Sequence, residues 1–168
     1  MITQSRLKVL LHYCPDTGVF TRRTTINRHV LAGSVCMTID SYDYIKIRVD
    51  GFRVRAHRLA FLYMLGYLPA EVDHVNGVRS DNSWANLRAC TRSENQQNRC
   101  DARKDNGCGF IGVSFNSADG TYRARLQVNG VRTHLGHFPT AELAHAAYLK
   151  AKVKLHTHHE RLLKHKEF

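Results

Sequence analysis

The sequence predicts an α+β protein in two modules, the second a three-stranded antiparallel sheet packed on one helix. Three observations predict it. Asp50-Gly51 and Asn129-Gly130 are each flanked by strand-like alternation, the pattern of a two-residue hairpin. Leu143, Ala147, Ala151 and Leu155 recur every fourth residue near the C-terminus, as on one helix face. Residues 101–107, Asp-Ala-Arg-Lys-Asp-Asn-Gly, are charged, lack apolar periodicity and divide two patterned regions, so they read as a linker. The expected domains are 1–100 and 108–168.

In the first region Leu7, Val9, Leu10 and Leu11 mark a short helix within residues 1–12. Pro15-Asp16-Thr17-Gly18 is a turn, and Val19-Phe20-Thr21 and Gly33 to Ile39 read as strands. Tyr44 to Val49 alternates apolar and basic residues, as a half-buried strand does, and Phe52 to Ala56 is its return strand. A helix runs from His57 to about Leu65, closed by Gly66 and Pro69. Residues 70–100 are polar and asparagine-rich, yet include Val72, Val75, Leu87 and a Trp84 expected in the core. Thr91-Arg92-Ser93-Glu94 has the capping-box pattern, which starts a helix near Arg92 with Asn95 in its first turns.

Charge narrows the partner. The chain holds 25 Lys and Arg against 14 Asp and Glu, a net charge of +11. Residues 1–100 carry 14 basic and 8 acidic side chains, and residues 101–168 carry 11 and 6, so the excess is not a tail. A polyanion is expected to meet both regions, nucleic acid first. No apolar run reaches the roughly 18 residues of a membrane-spanning helix, and no basic amphipathic helix offers itself to a membrane surface. The N-terminus lacks the pattern of a signal peptide, so the chain is expected to stay where it is made. Five cysteines without an export signal suggest reduced thiols. Cys90, Cys100 and Cys108 fit no common zinc-ribbon spacing, and the absence of a CxxC pair disfavours a zinc-stapled RNA-binding factor.

The chemistry concentrates in residues 73–95. Asp73 and His74 close a short strand, Asn86 lies in the following loop, and Asn95 on the next helix. A carboxylate and an amide oxygen suit a hard divalent cation, so Asp73 and Asn95 are candidate ligands of one Mg²⁺. His74 has the near-neutral pKa that suits a base accepting a proton from water, and Asn86 is the candidate that orients its ring. Neighbouring strand residues face opposite sides, so some backbone irregularity is expected if Asp73 and His74 share one site. Spacing alone leaves a structural reading open, because Asp-His pairs occur in cores and asparagines form turns.

Three segments carry a resemblance: Asp73-His74-Val75-Asn76-Gly77-Val78-Arg79-Ser80-Asp81-Asn82, then Asn86-Leu87-Arg88, then Glu94-Asn95-Gln96-Gln97-Asn98. Together they resemble the HNH endonuclease motif, in the homing-endonuclease branch of bacteriophages and mobile introns. Ala56-His57-Arg58-Leu59-Ala60 and the Pro15-to-Phe20 opening are similar to the same branch. The resemblance implies a small N-terminal β/α region leading into a ββα-metal core, with motif residues within 57–100. It implies His74 as general base, Asp73 and Asn95 as ligands of one divalent ion, Mg²⁺ with Mn²⁺ able to substitute, and Asn86 as the residue orienting the base. Ser83-Trp84 departs from the Arg- or Pro-containing pair expected there. His57 reads as a structural helix residue. Arg79 is a candidate phosphate contact, with a solvated loop charge as the alternative, and Arg88 is similar.

In the second module an Asn129-Gly130 hairpin sets Val128 opposite Val131, Gln127 opposite Arg132, Leu126 opposite Thr133, Arg125 opposite His134 and Ala124 opposite Leu135. One sheet face then gathers Arg123, Arg125, Gln127, Arg132 and His134. The other, with Ala124, Leu126, Val128, Val131 and Leu135, is expected to bury against the Leu143/Ala147/Ala151 stripe. A basic face without an acid suits DNA contact. Gly112-Val113, Tyr122-Arg123-Ala124, Leu135-Gly136-His137-Phe138 and the Ala141-to-Leu155 helix resemble the ethylene-response-factor (APETALA-type) DNA-binding domain, whose sheet docks on DNA. His156, His158, His159 and His165 read as a polar helix end rather than a metal site.

The sequence thus predicts a metal-dependent DNA endonuclease, monomeric, nicking double-stranded DNA at a specific site in the cytoplasm of a bacterial host of a phage or mobile element. The alternative is a sequence-specific DNA-binding regulatory protein with an inactive nuclease half.

Overall fold

The structure, a computed structural model, describes residues 2–103 and 105–157. His158, His159 and His165 of the C-terminal histidine group lie outside the described residues. The chain forms two compact units, residues 1–91 and 92–168. Among the described residues the architecture is α+β: small antiparallel sheets and four α-helices.

The first unit begins with α1 (Gln4–Leu10), capped by the Thr3 side chain accepting from the Arg6 N–H. Strands β1 (Leu11–Tyr13) and β2 (Phe20–Arg22) pair across the Pro15–Gly18 turn. The strand expected over Gly33 to Ile39 shrinks to β3 (Thr38–Ile39), preceded by a single bridge from Val35 to Thr21. Its apolar residues Val35, Met37 and Ile39 are all exposed, so no core demanded a longer ladder. β4 (Ile45–Val49) and β5 (Phe52–Arg55) form the expected hairpin, with Asp50 at φ 45° and Gly51 at φ 85°. Two left-handed residues match the turn to the strands' twist.

Helix α2 (Ala56–Leu65) buries Leu59, Ala60, Phe61 and Leu62 against this hairpin and α1. β6 (Glu71–His74) and β7 (Leu87–Cys90) form an antiparallel ribbon whose Val72 and Leu87 join the same core. Trp84, in a 3-10 turn before β7, is partly buried, with its ring 4.9 Å from Phe61.

The second unit comprises α3 (Arg92–Gln97), β8 (Val113–Asn116), β9 (Thr121–Val128), β10 (Val131–Phe138) and α4 (Ala141–Leu155). The sheet runs β10-β9-β8, with α4 on one face. The unit starts before α3 rather than after residue 107. Physical ties explain this: the Lys152 ammonium of α4 donates to the Arg99 carbonyl, and Gln97 Oε1 accepts from the Thr157 N–H at 3.1 Å.

Three expectations are corrected here. The Asn129-Gly130 register holds through Arg125 opposite His134, but a bulge at Leu135 then sets Ala124 opposite Gly136. The helix face is also different. α4 buries Ala141, Ala144, Tyr148 and Lys152, while Leu143 and Leu155 are 51% and 45% exposed. Small Ala144 permits close approach, and Gly112 leaves room for Tyr148: a Cβ on Gly112 would lie 2.1 Å from the Tyr148 ring. Val131, expected inward, is exposed at the hairpin end.

Candidate active site

The β6–β7 ribbon positions the first candidates. Asp73 stands directly opposite Arg88, and His74 opposite Leu87. The ladder runs through both without a bulge, so Asp73 and His74 take opposite faces of the ribbon. The irregularity expected from the sequence is absent, because His74 closes the strand and the chain turns only afterwards, with Gly77 N–H donating to the His74 carbonyl at 2.8 Å. Asp73 is buried and paired: Arg88 donates from Nε at 3.0 Å and Nη2 at 2.7 Å, both to Oδ2. A cation bound at Asp73 therefore shares its carboxylate with Arg88. A carboxylate oxygen is the kind of donor that a hard divalent ion takes. Asn95 lies on α3 in the second unit.

His74 is 4% exposed, and its Nε2 lies 3.3 Å from Asn82 Oδ1. The Asn82 amide is itself oriented, since its Nδ2 donates to the Ser80 carbonyl at 3.1 Å. Oδ1 can only accept, so His74 Nε2 carries the proton, and Nδ1 is the unprotonated nitrogen of the neutral ring. Burial pushes the His74 pKa down, against the opposing pull of Asn82, Asp73 and Asp81. The ring is thus neutral near pH 7, the form a general base requires.

Asn86 does something else. Its Oδ1 accepts from the Asn76 N–H at 2.9 Å, and its Nδ2 donates to the Asp81 carbonyl at 2.8 Å. Val75 N–H donates to the Asn86 carbonyl at 2.9 Å. These three bonds staple both ends of the 75–86 loop, and the loop carries Asn82 to the ring. Asp81 braces the same loop, accepting from Asn76 Nδ2 at 2.7 Å and Ser83 Oγ at 2.7 Å. Burial works to raise the Asp81 carboxyl, and the bonds from Ser83 and Asn76 outweigh it, holding its pKa below the usual range.

A second buttress comes from the N-terminal turn. Tyr13 Oη donates to the Asn82 carbonyl at 2.7 Å, and Trp84 N–H donates to the Pro15 carbonyl at 2.7 Å. Gly18, at φ +71°, lies so close that a Cβ there would fall 2.1 Å from the Asn82 carbonyl carbon. The left-handed backbone and the contact both require glycine.

Sequence reasoning missed three neighbours of His74. His57 packs edge-on against its ring, centroids 5.0 Å apart, and Tyr44 lies 6.0 Å from it. Burial, then the charges around it, push the His57 pKa down to about 3, so it is a neutral packing partner. Asn82 is the third. Five asparagines between 76 and 98 offered no signal to single it out. Arg79 donates to the Tyr42 carbonyl at 3.1 Å and lies over the Tyr44 ring.

In the second unit Arg123, Arg125, Arg132 and His134 line one shallow pocket on the sheet. The Leu135 bulge adds His137, opposite Arg123. Gln127 folds toward the turn, donating to the Gly130 carbonyl at 3.3 Å. His156 caps α4, its Nε2 3.0 Å from the Gln127 carbonyl. Among the described residues no group of three or more His, Cys, Asp or Glu side chains is arranged to hold a metal ion. No helix among them is long and apolar enough to cross a membrane.

Residues 54–97 match the HNH endonuclease family. The match spans α2, the β6–β7 ribbon, its loop and α3, and thus contains Asp73, His74, Asn82, Asn86 and Asn95. It implies a nuclease domain acting on DNA. The Tyr13–Gly18 turn and the β8–β10 sheet fall outside it. No curated protein and no solved structure matches the chain.

Proposed function

We propose that the protein is a metal-dependent endonuclease that hydrolyses phosphodiester bonds at a specific site in duplex DNA, in the manner of a homing endonuclease. The observation that carries this reading is His74, buried and neutral, with its tautomer set by Asn82, inside the matched segment. Its Nδ1 accepts the proton of the attacking water. Asn82 holds the ring, and Asn86 acts on it by closing the loop. Asp73, on the ribbon face opposite His74, is assigned as a ligand of one divalent cation, Mg²⁺ or Mn²⁺, and Asn95 of the second unit as a separate candidate ligand; a bound ion would supply charge stabilisation at phosphate oxygens. Arg88, donating twice to Oδ2, holds the Asp73 carboxylate in place on the ribbon.

The basic sheet face of the second unit, Arg123, Arg125, Arg132 and His134, docks on double-stranded DNA in this reading, with Gln127 and Arg79 as further contacts. One His74-centred site activates one water against one phosphate, so the enzyme nicks one strand as a monomer.

Supercoiled plasmid carrying the target, incubated with Mg²⁺, should become open circles before any linear form, and EDTA should abolish the reaction. Asp73→Ala and Asn95→Ala should each shift the metal titration to higher concentration. Linear product formed directly, at second order in protein, would reject monomeric nicking. Metal-independent or absent cleavage would reject the enzyme reading.

A further inference from the structure

The β4–β5 hairpin separates its side chains into two faces by charge. Ile47 opposite Val54 and Val49 opposite Phe52 occupy one face, where Ile47 and Val49 are buried beneath α2. Lys46 stands opposite Arg55, and Arg48 opposite Arg53, on the other. Directly opposed residues of antiparallel strands project to the same side, and like charges placed so destabilise the sheet. Only Lys46 is answered by an acid, Asp40 at 3.0 Å; among the described residues no carboxylate pairs with Arg48, Arg53 or Arg55. Arg22 brings another guanidinium, donating to the Arg48 carbonyl at 2.8 Å. A surface that holds an unneutralised opposed pair, Arg48 and Arg53, beside the unneutralised Arg55 is complementary to a polyanion.

This row leads to the candidate base. Tyr44 lies two residues before Lys46, on the same side of the strand alternation. The Arg55 guanidinium lies 4.1 Å over the Tyr44 ring, and that of Arg79 lies 5.2 Å over it. The Tyr44 ring is 6.0 Å from that of His74. Within the first unit a line of contacts thus runs from the Arg55 and Arg79 guanidiniums through the Tyr44 ring to the buried His74.

We infer that this face of the hairpin is a DNA-backbone-binding surface, which holds the phosphates flanking the bond presented to His74. The inference rests on the nuclease reading above and adds a docking surface separate from the β8–β10 sheet. Arg48 and Arg53 meet backbone phosphates, while the two guanidiniums on Tyr44 hold the phosphates next to the imidazole. Contacts of this kind position DNA without reading its sequence.

The test uses the full chain, a duplex of arbitrary sequence and EDTA, so that binding is read without cleavage. Arg48→Gln/Arg53→Gln should lower affinity roughly tenfold or more at 0.1 M salt and reduce the log–log salt slope by about 1.8, two phosphate contacts' worth. Its thermal midpoint should rise, because an opposed like-charge pair is gone. Lys8→Gln/Arg58→Gln, an equal charge change on α1 and α2, should leave the slope near the parent value. Equal losses in both pairs, or none in the first, would overturn the inference. Cleavage of plasmid by the parent chain is scored separately. A parent that binds with this slope pattern but never cleaves sinks the nuclease reading and leaves the docking face standing.

Discussion

His74 Nε2 faces Asn82 Oδ1 at 3.3 Å, and the opposite end of the Asn82 amide is tied to the Ser80 carbonyl. One amide thereby decides which nitrogen of the imidazole holds the proton. Asn82→Leu removes that decision without emptying the space. It should lower single-turnover cleavage by roughly 10–100-fold, as loss of an orienting partner does. His74→Ala should lower it by roughly 10²–10⁴-fold with DNA affinity retained. A merely structural asparagine would leave the ring's tautomer unchanged. In ¹⁵N spectra recorded where His74 is neutral, the parent should show a protonated Nε2 and Asn82→Leu a mixture. An unchanged tautomer in the variant would refute the role.

Gly18 supports that arrangement from outside the family match. At φ +71° and in contact with the Asn82 backbone, it accepts no side chain without displacing the loop. Gly18→Ala should destabilise the fold by about 1–3 kcal/mol, by strain and overpacking. It should also slow cleavage, since the displaced segment carries Asn82. Gly33, at φ +84° with open space around it, is the control: Gly33→Ala bears the strain alone and should leave cleavage at the parent rate. Equal effects of both substitutions on cleavage would show that the Gly18 contact does not matter.

How far the sequence revealed this structure follows from the range of each interaction. The hairpins at Asp50-Gly51 and Asn129-Gly130 were legible because their residues set their own backbone, with φ of 45°, 85°, 49° and 85°. Helix α2 and the start of α3 were legible from periodicity and capping chemistry for the same reason. The asparagine partner of His74 was not, because loop closure by Asn86 and contacts from Tyr13 and Gly18, remote in sequence, select it. The buried face of α4 was not, because it depends on the space above Gly112 rather than on aliphatic spacing. The Leu135 bulge, which brings His137 beside Arg123, has no local turn signal at all.

The helix-face correction has a direct consequence. Ala144 is fully buried and Leu143 half exposed. Leu143→Ala should change stability by no more than about 0.5 kcal/mol. Ala144→Leu should destabilise by about 1–3 kcal/mol through overpacking. Urea unfolding of the two variants decides between the faces; the reverse order would restore the aliphatic stripe.

Acid should weaken the first unit through its two buried imidazoles. Burial, the largest cause in both, lowers the pKa of His57 to about 3 and lowers that of His74. Unfolded histidine titrates near 6.5, so below that pH the unfolded chain binds protons that the native chain refuses. Stability therefore rises with pH in this window: it is fully present above about 6.5 and is lost as pH falls toward the folded values. Each neutral imidazole contributes a slope of about 1.4 kcal/mol per pH unit, so His57 alone accounts for a loss of about 2 kcal/mol between pH 6.5 and pH 5. Replacing it by Phe keeps an aromatic ring against His74 and Tyr44 and removes the titrating group. Urea unfolding at pH 7 and pH 5 should show His57→Phe losing about 2 kcal/mol less than the parent over that interval. An identical loss in both would mean that His57 is protonated in the native state, and that its place beside His74 is a charged one.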